Sequence, residues 1–116
     1  MPKDSDEEKK ARAAAVEAAT IYATEVPLLV METACDSMEV MMAMAKHGLQ
    51  NSLSDAGVGA LCARTAVYGA YFNVRINAKD IKNRETAEAL LAIAKSIFEQ
   101  AIATENEMIA YINEKI

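Results

Sequence analysis

The sequence contains few residues that interrupt helices and few aromatic residues. Its 116 residues include two prolines, four glycines and no tryptophan, whereas 53% of them are hydrophobic, many of these alanine. Proline and glycine are the poorest helix formers, so their scarcity favours long helices and leaves little room for strands. The length fits one domain or less.

An excess of positive charge is also missing. Twelve Lys and Arg residues stand against 17 Asp and Glu residues, and the formal net charge is -5. Because no dense basic stripe offsets this acidic background, we expect no nucleic-acid partner. The best candidate for a membrane span, from Pro27 to Ala45, is interrupted by three acidic residues: Glu32, Asp36 and Glu39. We therefore expect no membrane partner.

Cysteine is scarce as well. Cys35 and Cys62 lie far apart, each in an apolar helical context, and we expect two reduced, buried thiols that behave as small hydrophobic residues. A disulfide would need close approach of their Cα atoms, which the sequence does not show. With the absence of a signal peptide, this pattern predicts a reducing compartment, the cytoplasm.

The first part of the sequence predicts a long amphipathic helix. Asp4 or Ser5 can cap its N-terminus, and Gly48 ends it. Pro27 lies inside and should kink the helix or split it into two pieces. Apolar residues recur at the helical period in two stripes: Ala15, Ala19, Tyr22, Val26, Leu29 and Thr33, then Val30, Ala34, Met38, Met41 and Ala45.

A second helix follows a short connection from Leu49 to Ser54. Ser52 and Asp55 have the spacing of a capping box, and Ser54 is an alternative cap. The larger side chains share one face: Val58, Leu61, Cys62, Thr65, Tyr68, Phe72 and Ile76. Several glycines in this helix suggest that the backbone of another helix approaches closely. The small residues on its flanks are Gly57, Gly59, Ala63, Ala66, Gly69 and Ala70.

The third helix has the most regular pattern. A break from Asp80 to Asn83 precedes it, Asn83 caps it, and it runs to about Glu114. Its stripe follows the helical period: Ala87, Leu90, Leu91, Ala94, Ile97, Phe98, Ala101, Ile102, Glu105, Met108, Ile109 and Ile112.

These elements predict an all-α fold, a bundle of long helices that lie antiparallel because their connections are short. The second helix is apolar around much of its circumference, and three helices offer it few neighbours. We therefore expect either an oligomer formed through a large apolar surface or a place within a bigger domain.

Four methionines and one histidine form the first candidate site. Met38, Met41, Met42 and Met44, with His47 just beyond, could bind a soft metal ion. Their helical spacing favours packing in a core or an interface, so we expect no metal. No CxxC, HExxH, P-loop or GxGxxG pattern is present.

Polar residues on the second helix form the next candidate. Asp55 lies at the helix N-terminus, where it is either a cap-region carboxylate or an acid at the edge of a pocket. Asn73 and Asn77 lie one turn apart in an apolar run. Their amides need partners if buried, so they either bond to a neighbouring helix and set its register, or contact a planar ligand.

A local basic cluster follows these asparagines. It comprises Arg75, Lys79, Lys82 and Arg84 in an otherwise acidic chain. Such a cluster is either solvated surface or a site that attracts a polyanionic small molecule.

Two segments in order resemble a known family. The first is Asn51-Ser-Leu-Ser-Asp-Ala-Gly-Val, and the second is Gly69-Ala-Tyr-Phe-Asn-Val-Arg-Ile-Asn followed by Asp80-Ile. With Met1-Pro-Lys and Val26-Pro-Leu, they resemble the C-terminal domain of formiminotransferase-cyclodeaminases, a family that includes methenyltetrahydrofolate cyclohydrolases. The similarity spans essentially the whole chain.

The resemblance implies an all-helical domain that assembles as a dimer or within a larger oligomer and handles a tetrahydrofolate derivative as its substrate. As a hypothesis of our own, we assign Asp55, in the first motif, as the candidate catalytic residue. We also assign candidate substrate-binding residues within and next to the two motifs: Asn51, Ser54, Asn73, Arg75, Asn77 and Lys79. Of these, the amides of Asn73 and Asn77 could suit the pterin of a folate, and Arg75 or Lys79 could suit its anionic glutamate tail.

The resemblance also implies a difference from the family. Family domains carry an upstream segment with a Pro-Gly-Gly-Gly turn, further helices and the acidic residue to which cyclodeaminase catalysis is attributed. This sequence resembles the C-terminal part of such a domain and shows no counterpart of that segment. Two functions therefore stay open: a folate-dependent cyclodeaminase or cyclohydrolase domain, and a non-catalytic helical module for oligomerisation or interaction.

Overall fold

The computed structural model describes residues 5–116 and shows three long helices in this range. Helix α1 spans Asp6–His47, α2 spans Leu53–Ala78 and α3 spans Arg84–Lys115, with a 3₁₀ turn at Gln50–Ser52 before α2. No strand occurs among these residues, so the predicted all-α fold class is confirmed.

The helices form a thin bundle in which chain neighbours are antiparallel. Contacts across the bundle show this direction, since Asn77 near the end of α2 reaches Ala23 in the first half of α1, and Gln50 before α2 reaches Lys115 at the end of α3. The bundle measures 68 × 23 × 17 Å. Because its shortest dimension is so small, little of each helix can be enclosed.

Helix α1 begins and ends as the sequence predicts. Ser5 Oγ accepts a hydrogen bond from the backbone N–H of Glu8 at 3.2 Å, and Gly48 is the C-cap. Asp4, the alternative cap, lies outside the described residues. The helix is continuous through Pro27, so the predicted split is wrong, whereas a kink there stays a prediction.

The two connections are built differently. Asn83 caps α3 as predicted, because its Oδ1 accepts from the N–H of Thr86 at 3.1 Å. Ser52 is the N-cap of α2 but its side chain makes no capping bond, so the predicted capping box is wrong. Ser54, the alternative cap, lies inside the helix. The preceding 3₁₀ turn, in which Ser52 N–H bonds to Leu49 O, leads the chain into α2 instead.

The core confirms the predicted stripe of α3 and most of the second predicted stripe of α1, whereas the first stripe of α1 and the predicted face of α2 are mostly exposed. In the second stripe of α1, Met38 and Ala45 are buried, Ala34 and Met41 are half-buried, and Val30 is exposed. The α3 stripe residues are all buried or half-buried. In α1 the first predicted stripe is exposed, and the buried residues are Thr24, Leu28, Met31, Cys35, Met38 and Ala45. In α2 the predicted large-residue face is mostly exposed, and the buried residues are Leu53, Ala56, Gly57, Ala60, Ala63, Val67, Ala70, Val74 and Ala78.

Close packing explains why α2 buries its small residues. A Cβ at Gly59 would lie 2.9 Å from the sulfur of Met41 on α1, and one at Gly57 would lie 3.2 Å from Ile112 Cδ1 on α3. Helices that approach this closely admit only small side chains between their backbones, so alanine and glycine occupy the shared face. The predicted close approach is confirmed at these two glycines, whereas Gly69 has open space around its Cα.

The two cysteines differ in burial. Neither Cys35 nor Cys62 is in a disulfide, and Cys35 is buried whereas Cys62 is exposed. The reduced state stays a prediction. Burial, and then the carboxylates of Asp36 and Glu39, raise the pKa of the Cys35 thiol. The prediction of a buried Cys62 is wrong, because Cys62 belongs to the α2 face that points away from the bundle.

The methionine cluster packs in the core rather than forming an open site. Met38 is fully buried, and Met41 and Met42 pack against the same core, which agrees with the packing interpretation. Met44 is half-exposed and His47 is exposed.

Large apolar side chains remain exposed along α1 and α2. Leu29 is 61% exposed and Ile76 is 60% exposed, and the outer residues of both helices share this property: Tyr22, Val26, Leu29, Val30, Val40, Val58, Leu61, Phe72 and Ile76. Helix α1 also contains an 18-residue window long and apolar enough to cross a membrane by length and composition alone. The structure contains a single copy of the chain and no membrane. The expected oligomer and the expected absence of a membrane partner therefore stay predictions.

Candidate functional site

The predicted site residues lie at two ends of α2 and do not form one site within the chain. Asn51, Ser54 and Asp55 belong to its first turn and the 3₁₀ turn before it, whereas Asn73, Arg75, Asn77 and Lys79 lie in or just after its last two turns. With a rise of 1.5 Å per residue, Asp55 and Asn73 are about 27 Å apart along the helix.

The first-turn group is open to solvent. Asn51, Ser54 and Asp55 are all exposed. The nearby Gln50 Nε2 donates to the carbonyl of Lys115 at 3.3 Å, which ties this end of the bundle to the end of α3. Asp55 lies in the first turn of α2, where the helix dipole favours a negative charge. The geometry therefore places a carboxylate at the surface without an enclosed pocket.

Asn73 and Asn77 line a groove between α1 and α2. Its remaining walls are apolar and come from both helices: Val26, Pro27, Val30, Ala66 and Ala70. The groove has a volume of about 350 Å³. The exposed Asn73 amide makes no hydrogen bond within residues 5–116, so it is available to a ligand.

Asn77 is engaged by the neighbouring helix. Its Nδ2 donates to the backbone carbonyl of Ala23 in α1 at 2.9 Å. Of the two interpretations that the sequence left open, the interhelical bond is therefore present for Asn77. Its amide keeps an oxygen, Oδ1, that can accept a hydrogen bond.

Arg75 and Lys79 line a second depression on the outer side of α2, with Phe72 and Ile76. Its volume is about 340 Å³. The Arg75 guanidinium lies 5.3 Å from the centroid of the Tyr71 ring, and Tyr71 stacks on Phe98 of α3 with centroids 4.8 Å apart. A cation over an aromatic ring keeps its charge accessible while its position is restrained. The depression thus combines an apolar floor with two cations.

The rest of the basic cluster serves the connection between α2 and α3. Arg84 Nη1 donates to the carbonyls of Ala78 at 3.0 Å and Ile81 at 2.9 Å. These are carbonyls at and after the end of α2, which lack helical partners. Of the four predicted cations, Arg84 is therefore structural, and Arg75 and Lys79 are the two that line a concave surface together.

Sequence reasoning did not identify the role of Glu17. Its Oε1 accepts from the backbone N–H of Lys82 and its Oε2 from that of Asn83, both at 2.8 Å. These bonds, first that from Lys82 and then that from Asn83, lower the pKa of the Glu17 carboxyl. The partners are distant in sequence, so no local pattern indicates them.

A buried charge on α3 was also missed. Glu105 is only 7% exposed, and its Oε2 lies 3.4 Å from Arg64 Nε. Neither atom makes a hydrogen bond of good geometry, so the contact is an ion pair alone. Arg64 also lies over the Tyr68 ring at 5.5 Å. The sequence feature that could have revealed this contact is a glutamate within the apolar stripe of α3, because a buried charge needs a partner.

Metal-ligating residues do not converge in the described part of the chain. Among residues 5–116, no group of three His, Cys, Asp or Glu side chains could hold a metal ion. The expected absence of a metal stays a prediction.

Comparisons with known proteins agree with the sequence motifs. The profile of the Formiminotransferase-cyclodeaminase family matches residues 1–96. The chain is 34% identical over its full length to a Methenyltetrahydrofolate cyclohydrolase from Methylorubrum extorquens, of which it covers 56%. It is 37% identical over 83% of its length to a Formimidoyltransferase-cyclodeaminase from Sus scrofa, of which it covers 19%.

The chain matches only part of the length of each relative. A Formimidoyltransferase-cyclodeaminase from Mus musculus is 40% identical over 70% of this chain, which covers 15% of that protein. The chain thus spans about half of the cyclohydrolase and a smaller share of the longer relatives, and it matches their C-terminal part. By the family match over residues 1–96, the chain belongs to the formiminotransferase-cyclodeaminase family.

Proposed function

We propose that the second half of α2 forms part of a binding surface for a tetrahydrofolate derivative. The observation that carries this proposal is that the last turns of α2 supply both Asn73 in the groove and Arg75 and Lys79 in the depression. A folate has a flat pterin with hydrogen-bonding edges and an anionic glutamate tail. A polar amide above apolar walls suits the pterin, and two cations beside an apolar floor suit the tail.

The names of the relatives support two reactions for the complete domain. In cyclodeamination, N10 of tetrahydrofolate attacks the formimino carbon on N5, the bond from that carbon to the imino nitrogen breaks, and ammonia leaves after protonation. A methenyl bridge between N5 and N10 remains. The reaction needs the two nitrogens held together, a proton donor for ammonia and exclusion of water. Cyclohydrolysis opens the same bridge with water.

Asp55 is the candidate catalytic residue from the sequence, and its position restricts how it could act. It lies about 27 Å along α2 from Asn73, so it cannot reach a reacting centre held at Asn73 of the same chain. In our proposal, Asp55 acts only where a second copy brings its α2 N-terminus to the groove. Otherwise the proton donor belongs to the upstream part of the domain.

Ligand-linked stability tests the binding proposal. The stable analogue 5-formyltetrahydrofolate, at 100 times its dissociation constant, should stabilise the chain by about 2.7 kcal/mol in thermal unfolding. Asn73→Ala and Arg75→Ala should each reduce this stabilisation. The controls are Asn106→Ala and Lys95→Ala on the exposed side of α3, which should leave it unchanged. Absence of any shift at saturating ligand in the unmodified chain would contradict the proposal.

Catalysis needs a separate assay. Formation of the methenyl product should be measured for this chain and for a chain that also carries the upstream segment of the family domain. We expect activity in the longer chain. Activity of the 116-residue chain that is lost in Asp55→Asn would instead assign the acid to Asp55.

A second candidate function is oligomerisation or interaction without catalysis. It is favoured by the many exposed apolar residues of α1 and α2, such as Leu29 and Ile76. An extended exposed apolar surface indicates an interaction site, whereas single exposed apolar residues do not. We propose that a further copy of the chain covers this surface. Light scattering should then show at least a dimer, and Leu29→Glu should weaken association at least about tenfold, or about 1.4 kcal/mol. A well-folded monomer would contradict this proposal.

A further inference from the structure

Pro27 creates a defined gap in the hydrogen bonding of α1. In an α-helix, the N–H of each residue donates to the carbonyl four residues earlier. Proline has no N–H, so in the continuous helix Asp6–His47 the carbonyl of Ala23 lacks its backbone donor. It needs a donor from elsewhere.

The donor comes from α2. Asn77 Nδ2 lies 2.9 Å from the oxygen of Ala23, although the two residues are 54 positions apart. The nearest hydroxyl groups of α1 do not take this role, because Thr24 Oγ1 donates to Thr20 O and Thr20 Oγ1 donates to Val16 O. Asn77 is therefore the side chain that supplies the hydrogen bond missing at Pro27.

We propose that Asn77 is a positioning residue, whose amide replaces the backbone N–H that Pro27 lacks and so sets the register of α1 against α2 at the Asn73 groove. The carbonyl of Ala23 can only accept a hydrogen bond, so the amide nitrogen must face it and the amide oxygen must face away. The bond thus fixes the direction of the amide as well as the position of the helix.

The consequence for a ligand rests on the proposed function. Asn77 lines the groove with Pro27 and Asn73, so the contact joins the two walls between which the ligand would lie. With one N–H of Nδ2 held by α1, the Oδ1 of Asn77 can accept a hydrogen bond from an N–H or O–H group of a ligand.

A double-mutant cycle tests the link between Pro27 and Asn77. Pro27→Ala restores a backbone N–H, which can donate to Ala23 O without Asn77. In the unmodified background Asn77→Ala should lower the melting temperature by about 4 °C, the effect of one lost hydrogen bond in a domain of this size. In the Pro27→Ala background the loss should be less than half as large. Equal losses in both backgrounds would overturn the inference.

Two variants separate hydrogen bonding from packing. Asn77→Asp keeps the size of the side chain but removes the donor, so it should lose at least as much stability as Asn77→Ala and recover in the Pro27→Ala background. Asn73→Ala is the matched control, because Asn73 lies one turn away in the same groove and should give the same small loss in both backgrounds. A loss for Asn77→Ala without any loss for Asn77→Asp would also overturn the inference.

The unmodified chain provides a measurement that does not depend on the folding of the Asn77 variants. The side-chain amide protons of Asn77 should exchange with solvent at least about tenfold more slowly than those of Asn73, and Pro27→Ala should remove most of this difference. Equal exchange of the two amides would contradict the proposed bond. None of these measurements uses folate. A chain that fails to bind 5-formyltetrahydrofolate would contradict the proposed function, whereas the double-mutant cycle would still test the link between Pro27 and Asn77.

Discussion

The two ends of α2 carry the two groups of predicted site residues, yet they are held very differently. At the C-terminal end, Glu17, Arg84 and Asn83 together make five hydrogen bonds to backbone groups between Ala78 and Thr86. At the N-terminal end, Ser52 makes no side-chain capping bond, and Gln50 supplies one bond to α3.

This difference bears on our proposal that the second half of α2 binds a ligand. Preorganised side chains bind ligands without an additional ordering cost. The end of α2 that carries Asn73 and Arg75 leads into a connection whose backbone groups form hydrogen bonds with side chains of α1 and α3. Asp55 stands on an end with fewer such restraints, which agrees with a role that depends on another copy or another part of the domain.

Arg84→Ala should break this comparison most strongly. The variant removes both hydrogen bonds to the carbonyls of Ala78 and Ile81. We expect a loss of about 2 kcal/mol in the free energy of unfolding, measured by urea denaturation. Lys79→Ala, a cation at the same end, is the control and should change stability by less than about 0.5 kcal/mol. Equal losses would show that Arg84 acts only through its charge.

The caps of α2 and α3 offer a direct comparison between the ends. Asn83→Ala removes the bond to the N–H of Thr86 and should cost about 1 kcal/mol. Ser52→Ala removes a side chain that makes no capping bond, so only a few tenths of a kcal/mol should be lost. Thermal unfolding of both variants measures the difference. A larger loss at Ser52 would mean that the N-terminal end is the better restrained one.

The smallest expected effect concerns acid stability. Because two backbone N–H groups lower the pKa of Glu17 from 4.5, its contribution to stability is complete above the unfolded pKa and is lost as the pH falls through the lower folded pKa. Glu17→Gln should therefore weaken the fall in stability below pH 4.5. Glu88→Gln, an exposed carboxylate on α3, controls for net charge. An unchanged acid profile in Glu17→Gln would contradict this prediction.

Local signals in the sequence were sufficient for the helices and for several of their ends. Ser5, Gly48 and Asn83 act within a few residues of their own position, so the residue type and its neighbours are enough to predict them. Ser52 shows the limit, because a capping box also requires a backbone conformation that the 3₁₀ turn before α2 does not provide.

The candidate site was predictable in part for the same reason. Asn73 and Arg75 were found as polar residues in an apolar run, and the groove and depression do contain them. The partners of Glu17, of Asn77 and of Glu105 were not predictable, because each contact joins residues more than 40 positions apart. Such contacts depend on the register between helices, which no local pattern specifies.

The sequence by itself determined an all-α chain, the approximate limits of its three helices and its family, because helix propensity, caps and motifs are local properties. For α2 and for the first half of α1, only the tertiary structure decided which face of the helix is inside. In α2 the buried residues include Ala60, Ala63 and Gly57, whereas the larger Phe72 and Ile76 are exposed. A hydrophobic stripe predicts that a face will be covered, but the distance between helix axes decides which side chains fit between them.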